Sequence, residues 1–92
     1  GHNCRIGKCV VISGCSAIAG SVTIGDGVMM GGGSAIKDHV KVGRGARIAG
    51  GTNVMHDVPA GETWAGTPAL PIKQAARREL VIQRLLKPGK GR

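Results

Sequence analysis

The chain has 92 residues, a formal net charge of +8, no Phe, no Tyr and a single tryptophan, Trp64. That length holds one small domain. No apolar run approaches the roughly 18 residues of a membrane-spanning helix, and no signal peptide is recognisable. The charge is uneven: residues 71–92 hold seven Lys or Arg against one Glu, whereas residues 1–70 hold six against four acids. A basic segment attracts acidic partners in general. Nucleic acid fits poorly, because no aromatic side chains are interleaved with the charges for stacking.

The chain opens in mid-repeat and without an initiator Met, so the expectation is a fragment of a longer protein with further coils upstream. From Arg5 to Val58 it reads as nine hexads: RIGKCV, VISGCS, AIAGSV, TIGDGV, MMGGGS, AIKDHV, KVGRGA, RIAGGT, NVMHDV. The second position is aliphatic or Met every time, from Ile6 to Val54. The sixth is always small or β-branched. A helix would repeat near 3.6 and a half-buried strand at two, whereas a period of six is a parallel β-helix signature. Each hexad gives one short strand and one corner, and three hexads close a coil of a three-sided prism. The predicted coils are 5–22, 23–40 and 41–58, stacked about 4.8 Å apart. Second-position side chains point inward, and glycines serve corners that need φ > 0. The bare Gly31-Gly32-Gly33 run fits either a close approach of another group or an ordinary loose turn. Cys4, Cys9 and Cys15 read as reduced, partly buried thiols of a cytosolic protein.

The repeat is expected to end at Pro59-Ala60-Gly61-Glu62. Residues 63–69 then leave the prism as an exit loop over 59–70, with Trp64 capping the open end. A helix is predicted over Ile72–Leu86, started by Pro71 and ended by Pro88-Gly89. Ile72, Ala75, Ala76, Leu80, Ile82 and Leu86 share a face. Lys73, Arg77 and Arg84 line one edge of that face. Glu79 and Gln83 interrupt it, which suits packing on partner helices better than a deep core. Residues 88–92 read as a flexible tail. The fold class is therefore all-β: a parallel β-helix of about three coils, with a C-terminal α-helix.

Histidine is the natural general base near neutral pH. His39 lies 37 residues after His2, two coils plus one, and His56 lies 54 after, three coils. Gly20 is one coil after His2. All four share one edge of the prism, so spacing alone ranks the three histidines alike.

Gly1-His2-Asn3, then the hexads, Asp38-His39-Val40 and Gly66-Thr67-Pro68-Ala69 together resemble the UDP-3-O-acylglucosamine N-acyltransferases, hexapeptide-repeat enzymes of lipid A synthesis. The resemblance runs without gaps from His2 to about Thr52 and more loosely to the helix. It implies a left-handed β-helix, where the general rule for parallel crossovers gives the opposite hand. It implies His2 as general base, the Gly20 N–H as oxyanion donor and His39 as the residue that positions the acyl or phosphopantetheine arm. His56 matches no functional position. The implied donor is a 3-hydroxyacyl chain on the phosphopantetheine of acyl carrier protein, with no bound cofactor and no metal, and the acceptor is a UDP-sugar. A cytoplasmic homotrimer of a Gram-negative bacterium is implied, its helices clustered and Lys73, Arg77 and Arg84 facing the acidic carrier. The family's uridine-binding domain has no counterpart here, so these 92 residues alone are expected to be weakly active or inactive.

Three alternatives compete. One is another hexapeptide acyltransferase, using acetyl-CoA or acting on the hydroxyl of UDP-GlcNAc. A second is a zinc enzyme of the carbonic anhydrase-like β-helix type, which needs three converging histidines and a close pair of them that this chain lacks. The third is an inactive trimerising fragment.

Overall fold

The computed structural model describes residues 3–86. Nine two-residue strands repeat at the hexad spacing: β1 (Arg5–Ile6), β2 (Val11–Ile12), β3 (Ala17–Ile18), β4 (Thr23–Ile24), β5 (Met29–Met30), β6 (Ala35–Ile36), β7 (Lys41–Val42), β8 (Arg47–Ile48) and β9 (Asn53–Val54). They stack in register 18 residues apart, Arg5 on Thr23 on Lys41, Val11 on Met29 on Arg47, and Ala17 on Ala35 on Asn53. Three parallel sheets result. Sheet A is β1-β4-β7, sheet B contains β2-β5-β8, and sheet C is β3-β6-β9.

The hexad pattern fixes the interior. Second positions Ile24, Met30, Ile36, Val42, Ile48 and Val54 are buried, as are sixth positions Val22, Val28, Val40 and Ala46. Each such aliphatic side chain contributes about 1.5–3 kcal/mol of burial when it is large. Among the described residues Ser34 and Thr52 are the buried polar side chains, and both are satisfied: Ser34 Oγ donates to Gly31 O at 2.6 Å, and Thr52 Oγ1 accepts from Gly66 N–H at 3.3 Å. Ile6 and Ile12 hold second positions too, yet stay 52% and 38% exposed, because among the described residues no coil stacks above them.

The corners follow one rule. The fifth hexad residue is left-handed, and its N–H returns to the carbonyl of the fourth residue one coil earlier, as in Gly27 N–H to Lys8 O at 2.8 Å and Gly45 N–H to Asp26 O at 2.8 Å. The fold expectation therefore holds, but its lower end is corrected. The hexad pattern puts Val58 at a sixth position, whereas it bridges Val42, sixteen residues earlier. The turn at Met55-His56-Asp57 is two residues short. Lys41 N–H would otherwise meet a sixth-position carbonyl, and it finds the Asp57 carboxylate at 2.9 Å. The chain does not leave the prism at residue 63. Strand β10 (Thr63–Ala65) continues sheet B in parallel under β8, with Trp64 beneath Ile48, half-buried against the core.

The antiparallel β11 (Leu70–Pro71) closes sheet B outside β10. The exit loop covers β9: Asn53 N–H bonds Gly66 O at 3.0 Å and Ala69 N–H bonds Asn53 O at 2.9 Å. Helix α1 (Ile72–Leu86) then packs on β10 and β11. Of its predicted apolar face only Ala75 is buried; Leu80 and Leu86 are 53% and 78% exposed. Among the described residues no helix is long and apolar enough to cross a membrane.

Candidate active site

The three corners of the prism are chemically unequal. Corner one (7–9, 25–27, 43–45) and corner two (13–15, 31–33, 49–51) are largely stripped to backbone. A side chain on Gly25 would meet Arg44 N at 2.7 Å, so the next coil's backbone dictates glycine there. The group that approaches Gly31 is likewise the backbone of the next coil, at Gly50.

Corner three (19–21, 37–39, 55–57) keeps its side chains. Its third positions are Ala19, Lys37 and Met55, and its fourth are Gly20, Asp38 and His56. Its fifth positions are Ser21 and His39, with Asn3 above them; all three are left-handed without being glycine, at φ 59°, 62° and 60°. Such backbone costs about 1–2 kcal/mol per non-glycine residue. Strain of this kind persists where the surroundings enforce it, often at functional sites.

Gly20 and His39 meet here as expected. His39 N–H donates to Gly20 O at 3.1 Å, fixing the Gly20 turn one coil away. The His39 ring is exposed, with Nε2 3.8 Å from the Asp38 carboxylate. So exposed a pair adds little stability. Among the described residues the Gly20 N–H makes no hydrogen bond. At corner one the equivalent amide, Lys8 N–H, holds a carboxylate oxygen of Asp26 at 2.8 Å. The fourth-position amide of a corner is thus able to receive an anionic oxygen.

Beside corner three, the outer face of sheet C forms an open trough of about 460 Å³. It is walled by Ala17, Ala19, Ala35, Asn53 and Met55, with Lys37 its one charged side chain. Small residues make this trough: alanines at first and third positions leave room above the sheet.

Other expected residues fall elsewhere. His2 lies outside the described residues. Lys73, Arg77 and Arg84 are exposed on α1, an element apart from the Gly20–His39 pair. Sequence reasoning overlooked Arg78, which is half-buried, packs on Gly66 and donates to Pro68 O at 2.8 Å, latching α1 to the exit loop. Cys9 and Cys15 are exposed thiols rather than partly buried ones, because the fifth position faces outward. Cys4 is half-buried against the core, with Sγ 3.1 Å from Ala19 O.

No protein-family profile matches the chain. It is 56% identical over 87 residues to the UDP-3-O-acylglucosamine N-acyltransferase of Maricaulis maris (strain MCS10), covering 95% of this chain and 25% of that protein. The protein of that name from Caulobacter sp. (strain K31) is 42% identical over 83 residues, 90% of this chain and 24% of the relative. By sequence the chain belongs to the UDP-3-O-acylglucosamine N-acyltransferase family. It spans about a quarter of the length of these curated relatives.

Among solved structures, a GDP-perosamine N-acetyltransferase from Caulobacter crescentus, held in complex with CoA and GDP-perosamine, superposes with a TM-score of 0.67 at 24% identity, covering 75% of this chain and 41% of that one. Soybean serine acetyltransferase complexed with serine gives 0.57 at 28% identity, covering 74% and 40%. The shared architecture is the left-handed parallel β-helix of hexapeptide acyltransferases.

Proposed function

We propose that this chain contributes the acyl-transfer corner of an N-acyltransferase that moves a 3-hydroxyacyl chain from acyl carrier protein to the 2-amino group of a UDP-linked 3-O-acylglucosamine. The observation that carries the reading is the stacking of Gly20 and His39 on the one corner without glycine at its third and fifth positions, in a chain 56% identical to an enzyme of that name.

The amine nitrogen attacks the thioester carbon; a C–N bond forms and the carbonyl π pair moves onto oxygen. Gly20 N–H faces that oxyanion, a contribution that can reach a few kcal/mol. The Asp26 carboxylate on the Lys8 amide supports this by analogy within the same fold. His2 accepts the amine proton. Collapse breaks the C–S bond, and the proton passes to the departing pantetheine thiolate. His39 positions the acyl or phosphopantetheine arm. Lys73, Arg77 and Arg84 suit the acidic carrier protein. A homotrimer in the cytoplasm, working in lipid A synthesis with no bound cofactor, completes the reading.

The test is N-acylation of UDP-3-O-acylglucosamine by 3-hydroxyacyl-carrier protein, using the protein at its full natural length. His2→Ala is expected to lose about 10²-fold or more, the usual contribution of a general base. Activity that survives the substitution would move the base elsewhere, beginning with His39. The CoA-bound structural neighbour favours a second reading, acetyl transfer from acetyl-CoA to a sugar. Turnover with acetyl-CoA but not with the carrier thioester would select it.

A further inference from the structure

We propose that the Ser21 hydroxyl is a second oxyanion donor, acting beside the Gly20 N–H; this rests on the acyl-transfer reading above. Ser21 directly follows Gly20 and stands one coil above His39. Its backbone is left-handed, φ 59°. Glycine performs the same backbone task at Gly27, Gly33, Gly45 and Gly51, without the penalty of about 1–2 kcal/mol that a side chain brings. The fold does not use what the serine adds. Among the described residues its half-buried hydroxyl has no hydrogen-bond partner, whereas Ser16 and Ser34 both reach Gly31 O. Cys9 and Cys15 share the left-handed backbone, but their corners turn to glycine in the coils that follow. Corner three keeps polar side chains at its left-handed fifth positions, Asn3, Ser21 and His39.

A strained serine with an unused hydroxyl, next to the amide that faces the developing charge, is placed to donate to the same oxygen. While the C–N bond forms and the π pair rests on oxygen, Ser21 donates a hydrogen bond and transfers no proton. When the pair returns, the C–S bond breaks and the thiolate leaves with the proton that came from the amine.

Ser21→Ala and Ser21→Gly separate this role from a structural one. In the protein at its full natural length, both variants should lose roughly 10- to 100-fold in kcat, within the range for one oxyanion donor or below it. KM for donor and acceptor should change less than about threefold, as expected for an interaction made in the transition state. Ser21→Gly should also unfold at a higher temperature than the unmodified protein, because glycine relieves the left-handed backbone. A serine kept only for the turn predicts higher stability with unchanged kcat in Ser21→Gly, and that result overturns the proposal. The assays are run with 3-hydroxyacyl-carrier protein and with acetyl-CoA. If the unmodified protein uses only acetyl-CoA, the donor assignment fails and Ser21 is judged by the same kcat criterion on that reaction. If it transfers acyl groups from neither thioester, the function and the role of Ser21 are overturned together.

Discussion

Corner one and corner three are made from the same hexad, yet one has glycine at every third position and at its lower fifth positions, and the other has side chains at both. At corner one, third positions Gly7, Gly25 and Gly43 lie against the next coil, and fifth positions Gly27 and Gly45 adopt the left-handed turn with no steric cost. At corner three, Ala19, Lys37 and Met55 stand in the third position, and Ser21 and His39 bear the left-handed turn with side chains. The repeat supplies a default corner that glycine serves best. Departure from glycine recurs down one edge, the edge proposed above for acyl transfer.

That contrast can be broken by exchanging the corners' residues. Gly25→Ala puts a Cβ into the backbone of the next coil and should cost about 3 kcal/mol, a typical upper figure for overpacking. Ala19→Gly, the reverse exchange at corner three, should cost less than about 1 kcal/mol. Urea unfolding measures both, and a harmless Gly25→Ala would end the claim that the next coil dictates glycine there. Exchange at the fifth position is gentler and opposite in sign. Gly45→Ala should destabilise by about 1 kcal/mol, while His39→Gly should stabilise by a similar amount and lower acyl transfer. Equal stability changes in both would mean that corner three is not strained. The smallest effect is expected far from the corners. Arg78→Ala removes the latch to Pro68 O and should cost under about 1 kcal/mol. It should appear as faster amide exchange in α1, with the coils unchanged; exchange accelerating in sheet C as well would refute a purely local latch.

Much of this architecture is legible in the sequence. A strict period of six placed Ile24, Val42 and Val54 inward and set the 18-residue register, because each coil repeats the same packing problem. The short turn before Val58 was not legible. Valine satisfies the pattern at the sixth position as well as at the second, so two missing residues leave no mark on hydropathy. The sequence makes Trp64 a cap beyond the repeat, whereas it holds a second position under Ile48. The histidine spacing placed Gly20 and His39 on one edge. It gave no weight to Ser21, because serine in a turn looks like turn filler; only the sign of φ and the unused hydroxyl distinguish it. Arg78 escaped notice because its partners, Gly66 and Pro68, lie ten or more residues away across a loop.

A stack of identical repeats has no length of its own, and every open end invites another copy to join. Here the last coil carries its own stop. Asp57 and Val58 occupy the edge of β7, the exit loop occupies that of β9, and β11 runs against the direction of sheet B. Among the described residues no exposed ladder of parallel strands faces out at this end, so a second molecule finds no template in them on which to extend the sheets into a fibre. The two-residue deletion thus acts as a counter: it sets where the solenoid ceases to be polymerisable.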